Sequence, residues 1–147
     1  MDLFDRTRDH VLALFRIVIG FLFATHGAAT LFNVLGGPKG GQVPAFAAWP
    51  GWWAAAIQLV GGVLVALGLG TRVAAIVCSG SMAYAYFTVH QEIGTLPLQN
   101  GGETAALFAW AFLLLAFTGP GKWAVDAVFS RGKQETGVRE ERAGLAA

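Results

Sequence analysis

Between Ile17 and Thr118 the chain carries only four formally charged side chains, Lys39, Arg72, Glu92 and Glu103. So long a stretch with so little charge cannot present a water-facing surface around an ordinary core. Charged residues are 13% of all 147, against about 25% in typical soluble domains. The charge that exists is pushed to the ends: residues 122–147 hold nine of the nineteen charged side chains, and most of the others precede Ile17. This distribution excludes a water-soluble enzyme and a disordered chain. One cysteine, Cys78, inside an apolar run excludes a disulfide scaffold, and a net charge of +1 excludes a nucleic-acid binder. The expected class is a small, all-α, multi-pass membrane protein with one transmembrane domain over 1–130 and a polar tail over 131–147.

A span takes about 20 apolar residues. Four stretches qualify, over about 11–35, 52–69, 72–90 and 101–118, with Asn100 placed to cap the fourth. Gly119-Pro120-Gly121 stops that last helix. The linker at residues 68–72 is short enough only for a tight antiparallel turn. Residues 43–50, apolar and bounded by Pro44 and Pro50, are expected as a short helix at the interface, with Trp49, Trp52 and Trp53 at headgroup depth. Basic residues set the orientation. With the N-terminus inside, Arg6, Arg8, Arg72, Lys122, Arg131, Lys133, Arg139 and Arg142 are inside and only Lys39 is outside. Both termini are then cytoplasmic. A cleaved leader is not expected, because Arg16 interrupts the first apolar run.

Without a hydrophobic drive in lipid, small and polar residues mark the packed faces. On the first span these are Arg16, Gly20, Phe23, Gly27 and Thr30, with His26 alongside. On the second they are Gln58, Gly61, Gly62 and Val65. On the third they are Ser79, Met82, Ala83, Tyr86 and His90, and on the fourth Glu103, Ala106, Leu107, Trp110 and Leu114. Turned inward, these stripes make an antiparallel bundle of four helices. Glu103 and His90 fall at the outer rim, Gln58 about 9 Å below Trp52 and His26 about 13 Å below Leu35.

An ionisable group inside a membrane reads by default as functional. Each also has a structural reading. Arg16 can snorkel to inner headgroups or pair with Asp126. His26 and Gln58 can hydrogen-bond between helices. Glu103 suits the start of its helix, His90 can simply be solvated, and Gly20, Gly27, Gly61 and Gly62 serve packing. Taken together, His26, Gln58, His90, Asn100 and Glu103 form a candidate ligand pocket open to the outer side, able to hydrogen-bond a quinone carbonyl or relay its proton. No metal site is expected, since the two histidines and the carboxylate come from three helices. No haem, dinucleotide or nucleophile-elbow motif occurs.

The segments Arg16–Phe32, Gln58–Gly62, Gly68–Arg72 and Ser79–Phe87, with Asn100-Gly101-Gly102-Glu103 and Gly119-Pro120-Gly121-Lys122-Trp123-Ala124-Val125-Asp126, occur in order over about residues 10–130. This ordered set resembles the DoxX family. The family often carries glutamate at the position of Gln58 and lysine at that of Thr30, so two titrating groups are replaced by neutral ones here. The resemblance implies a membrane subunit. Its DoxD relatives belong to a thiosulfate:quinone oxidoreductase of sulfur-oxidising archaea. Actinobacterial DoxX proteins are linked to membrane oxidoreductase complexes with superoxide dismutase and a thiosulfate sulfurtransferase.

The expectation is therefore a subunit in the bacterial plasma membrane. It would serve a redox or oxidative-stress complex with no cofactor evident of its own, quinone being the candidate ligand. An accessory role is favoured over a stand-alone oxidoreductase. Expected partners are the lipid bilayer, redox-complex subunits and a second copy of the chain. The alternatives are a non-catalytic anchor or assembly protein whose polar groups join helices, and a small-solute transporter or channel.

Overall fold

The computed structural model describes residues 3–38 and 41–127, with side chains described from Arg6 onward. Lys39 and the expected tail over 131–147 lie outside the described residues. All regular structure among the described residues is helical. The order is α1 (Leu3–Phe32), α2 (Gly51–Leu67), α3 (Thr71–Ala85) continuing into a π segment (Tyr86–His90), a short α4 (Pro97–Asn100) and α5 (Glu103–Thr118). The stretches Arg6–Phe32 and Thr71–His90 are long and apolar enough to cross a membrane; α2 and α5 are apolar but shorter. Large apolar side chains cover the outside: Phe21, Leu107, Trp110 and Phe117 are all more than 60% exposed. Such a surface suits hydrocarbon and would associate in water.

Helix ends follow from backbone chemistry. No proline interrupts residues 3–32, so α1 starts well before the apolar run at 11–35. It ends at Phe32, and Asn33 and Leu35 then take φ of 54°, which a continuing helix forbids. Gly68 closes α2 in the left-handed region (φ 75°). Its N–H donates to Val65 O and that of Leu69 to Leu64 O, both at 3.0 Å, the paired bonds of a Schellman ending. Gly70, also left-handed, then starts α3. This is the expected tight turn. Residues 43–50 differ from expectation. They form turns rather than an interfacial helix, with Ala47 at φ 57°, because two prolines within seven residues leave no room for a hydrogen-bonded turn to propagate. Asn100 also departs from its expected role. No side chain caps α5, whose N-cap is Gly102, and the loop before it contains α4.

The four long helices pack as two pairs. α1 and α2 meet backbone to backbone at glycines. Gly20 faces Gly62 O and Ala66 N, and Gly27 faces Ala55 O and the backbone of Leu59. α3 and α5 are joined by Ser79 Oγ donating to Ala109 O at 2.8 Å and by Arg72 Nη1 donating to Ala116 O at 3.0 Å. Between the pairs, Phe23 of α1 meets Phe108 and Phe112 of α5 with ring centroids 5.1 and 4.7 Å apart. Cys78, fully buried, occupies the space that the missing side chain of Gly61 leaves.

On the first two spans Arg16, Gly20, Phe23, Gly27, Gly61, Gly62 and Val65 of the expected stripes are buried, Thr30 and Gln58 are half-buried and His26 is exposed; on the third Met82 is buried and Ser79, Ala83, Tyr86 and His90 are half-buried. The fourth stripe is not buried. α5 buries Ala105, Phe108, Phe112, Leu115 and Ala116, while Leu107, Trp110 and Leu114 face out. α5 is apolar around its whole circumference, so nothing but Glu103 oriented the expected stripe, and Glu103 itself is exposed.

At the end of the bundle away from His26, the segment after α5 folds back beneath α1 and the α2–α3 turn. Lys122 N–H donates to Asp9 O, and Asp126 N–H to Gly68 O, each at 3.1 Å. Gly70 N–H donates to Asp126 Oδ2 at 2.8 Å. Arg16 is fully buried here. Its Nη2 donates to Trp123 O at 3.2 Å and to Lys122 O at 3.5 Å, and the Asp126 carboxylate acts on it through space. Its guanidinium thus holds the returning backbone instead of reaching out toward headgroups.

Candidate functional site

All four long helices contribute to one polar cavity. α1 supplies Phe23 and His26, α2 Gln58, α3 Met82 and Ala85, the π segment His90, and α5 Thr104 and Phe108; its volume is about 220 Å³. Phe23 and Phe108 form an aromatic wall, and the His26 ring stands edge-on to Phe108 with centroids 5.9 Å apart. Position follows from periodicity. Phe23 and His26 are one helical turn apart on α1, as are Met82 and Ala85 on α3. The π segment, closed by Gln91 N–H donating to Tyr86 O at 2.9 Å, inserts a residue per turn and resets the direction in which its later side chains point. Such insertions recur at functional sites. Here it turns His90 to the cavity.

His90 is oriented by the loop opposite. Its Nδ1 lies 3.1 Å from the carbonyl of Asn100. A carbonyl only accepts, so Nδ1 carries the hydrogen, and Nε2 of the neutral ring is then an acceptor. Asn100 holds that carbonyl in place. Its buried side chain donates from Nδ2 to Gly94 O and accepts the Gly102 N–H at Oδ1, each at 2.8 Å.

Of the five candidate pocket residues, the structure brings His26, Gln58 and His90 to one cavity. Asn100 stands behind His90 as its support and does not line the cavity. Glu103 does not line it either; it sits exposed in the first turn of α5, where its charge favours the helix dipole. Thr104 is a cavity residue that sequence reasoning misses. It lies about 100° around the helix from Glu103, on the same side as Ala105 and Phe108, and that apolar spacing was the available signal. Among the described residues no group of three or more His, Cys, Asp or Glu side chains is placed to hold a metal ion.

The support by Asn100 is testable. Asn100→Ala removes both side-chain bonds and is expected to cost about 1–3 kcal/mol locally. It should appear as faster amide exchange across residues 91–102, with α1 and α2 unchanged. Unaltered protection in that loop would show that Asn100 does not hold it.

Three comparisons bear on this arrangement. A protein of Haemophilus influenzae described as uncharacterized is 38% identical over 136 residues, 88% of this chain and 98% of that one. A Bacillus subtilis protein named "Putative oxidoreductase CatD" is 31% identical over 130 residues, 85% of this chain and 91% of that one. No solved structure matches. The DoxX family profile matches residues 11–91, a stretch that begins in α1, contains His26 and Gln58 and ends just past His90, so the helices that form three walls of the cavity are the ones the profile recognises, and the chain belongs to the DoxX family.

Proposed function

We propose that this protein is an accessory membrane subunit of a redox or oxidative-stress complex, and that the cavity of His26, Gln58, His90 and Thr104 receives the head of a quinone. On this reading the four long helices are antiparallel spans of a bacterial plasma membrane, both termini are cytoplasmic, and the cavity opens in the outer half. The observation that carries it is the cavity itself: hydrogen-bonding side chains from every long helix converge on a space walled by aromatic rings. About 220 Å³ is below the roughly 300–1,000 Å³ of sites for drug-sized ligands, and matches one ring. Gln58 and Thr104 supply donors for quinone carbonyl oxygens. His90 Nε2 supplies an acceptor for a hydroquinone hydroxyl, and imidazole is the side chain best suited to pass that proton on near neutral pH. Electrons would come from a partner subunit. The oxidoreductase name of the Bacillus subtilis relative supports a redox setting.

The test is photo-crosslinking of an azido-quinone to the purified protein. Label is expected on peptides containing Phe23, His26 or Thr104, and His90→Leu is expected to weaken binding about tenfold, the worth of roughly one hydrogen bond. Label confined to lipid-facing side chains such as Val18 and Leu22 would sink the reading.

A second reading, a non-catalytic assembly protein, is favoured by the hydrogen bond of Ser79 to α5 and by the wholly local bonding of Asn100. It requires His26→Ala and Glu103→Gln to lower thermal stability in detergent, with any cellular phenotype following protein level.

A further inference from the structure

The two helix pairs leave a seam between them. α2 is drawn to α1 at the glycine contacts, and α3 is held to α5 by Ser79 and Arg72. Joined at the Gly68–Gly70 turn, α2 and α3 touch where Cys78 packs at Gly61 and flank a groove on their outer side. Its larger part holds about 680 Å³ and runs from Trp53 past Gly61 and Val77 to Gly70 and Asp126. A second part of about 330 Å³ adjoins it, sharing Trp53, Ile57 and Val77, and extends to Gly80, Tyr84 and Ala85. From Trp53 to Leu67 the α2 backbone rises about 21 Å, most of a hydrocarbon core.

The groove and the polar cavity adjoin in one place. Ala85 lines both, and Ile57, on the groove side of α2, precedes Gln58, on the cavity side. A small methyl group is what stands between the head site and the lipid-facing seam. We propose that the α2–α3 seam is the tail channel of the His26–Gln58–His90 cavity, entered sideways from lipid between Ile57 and Ala85. The ligand is then an amphiphile whose small hydrogen-bonding ring carries a long apolar chain on the same molecule. This rests on the head-group reading above. It adds the class of ligand, tailed rather than water-soluble, and its route. The aromatic side chains Trp53 and Tyr84 border the outer part of the groove, and the chain is gripped by dispersion contacts along small and β-branched residues.

The experiment compares two probes in nanodiscs, a decyl-chain benzoquinone and its tail-less parent. Their affinities are measured for the wild type, Gly80→Leu and Val77→Trp. Both variants fill the groove and neither touches the polar cavity. A Cβ at Gly80 meets no atom within 4 Å, so Gly80→Leu keeps the fold. Comparing one probe across proteins cancels its partition into lipid. The decyl probe is expected to lose about tenfold in both variants while the tail-less parent binds all three proteins alike. If the variants leave the decyl probe unaffected, the seam holds ordinary annular lipid and the tail proposal fails while the head site stands. Equal weakening of both probes also overturns the tail channel. If neither probe binds the wild type, the head-group reading fails and this one falls with it.

Discussion

Arg16→Met should lower the stability of the protein by about 3–5 kcal/mol, the usual penalty for removing one partner of a buried charged network. The side chain is fully buried, and two backbone carbonyls, of Trp123 and Lys122, accept from it. Methionine fills much of the space yet offers neither carbonyl a donor, and it removes the positive charge that acts on Asp126. One effect opposes the loss. Arg16 Nε and Nη1 have no hydrogen-bond partner, so the wild-type side chain itself carries an uncompensated desolvation cost. The carbonyls and the carboxylate outweigh it, because bonds donated by a charged group are stronger than ordinary ones and their acceptors would be left without a donor. Arg16→Met with Asp126→Asn should recover part of the loss, since the carboxylate is then no longer left without that charge. Thermal unfolding of the single and double variants in one detergent reads both effects. An unchanged or higher Tm for Arg16→Met would mean that the guanidinium does not clasp the returning segment.

The residues that could be placed from sequence are those whose chemistry admits one solution in a bilayer. Gly20, Gly27 and Gly62 could be assigned to a packed face because each falls at helical spacing with other small or polar residues. His26, Gln58 and His90 could be grouped because polar side chains in lipid gather together, and all three line one cavity although His26 remains exposed. α5 offered no such constraint. Its apolar residues occupy every face, so burial of Phe108 and Phe112 against Phe23 is decided by the shape of the other three helices. The same holds for the π segment, whose extra residue changes where His90 points without leaving a mark in composition. Charge was an incomplete guide in two places. Glu103 drew attention away from Thr104, its neighbour on the cavity side. At Arg16 charge pointed to Asp126, which does act on it, but gave no sign of the hydrogen bonds to backbone carbonyls more than 100 residues away in sequence.

Gly62→Val is expected to damage the protein nearly as much as loss of Arg16, at about 2–3 kcal/mol, and Gly80→Leu to leave stability within about 0.5 kcal/mol of wild type. Both glycines lie inside apolar helices, and a propensity argument alone would make either replacement favourable. The difference is what a side chain would meet. A Cβ on Gly62 falls 2.5 Å from Ala24 N and 2.7 Å from Gly20 O. These are backbone atoms of a helix whose far side packs on α5, so α1 and α2 must move apart to admit it. A Cβ on Gly80 enters open space. Separation also has a functional consequence, because His26 rides on α1 and Gln58 on α2. Gly62→Val should therefore lower Tm and weaken binding of the tail-less quinone probe together, whereas Gly80→Leu should change neither. Parallel unfolding and binding curves for the two variants decide the matter. If Gly80→Leu proved as harmful as Gly62→Val, helix contact at the glycines would not be what holds α1 to α2, and the cavity would owe its shape to the loop at Asn100 instead.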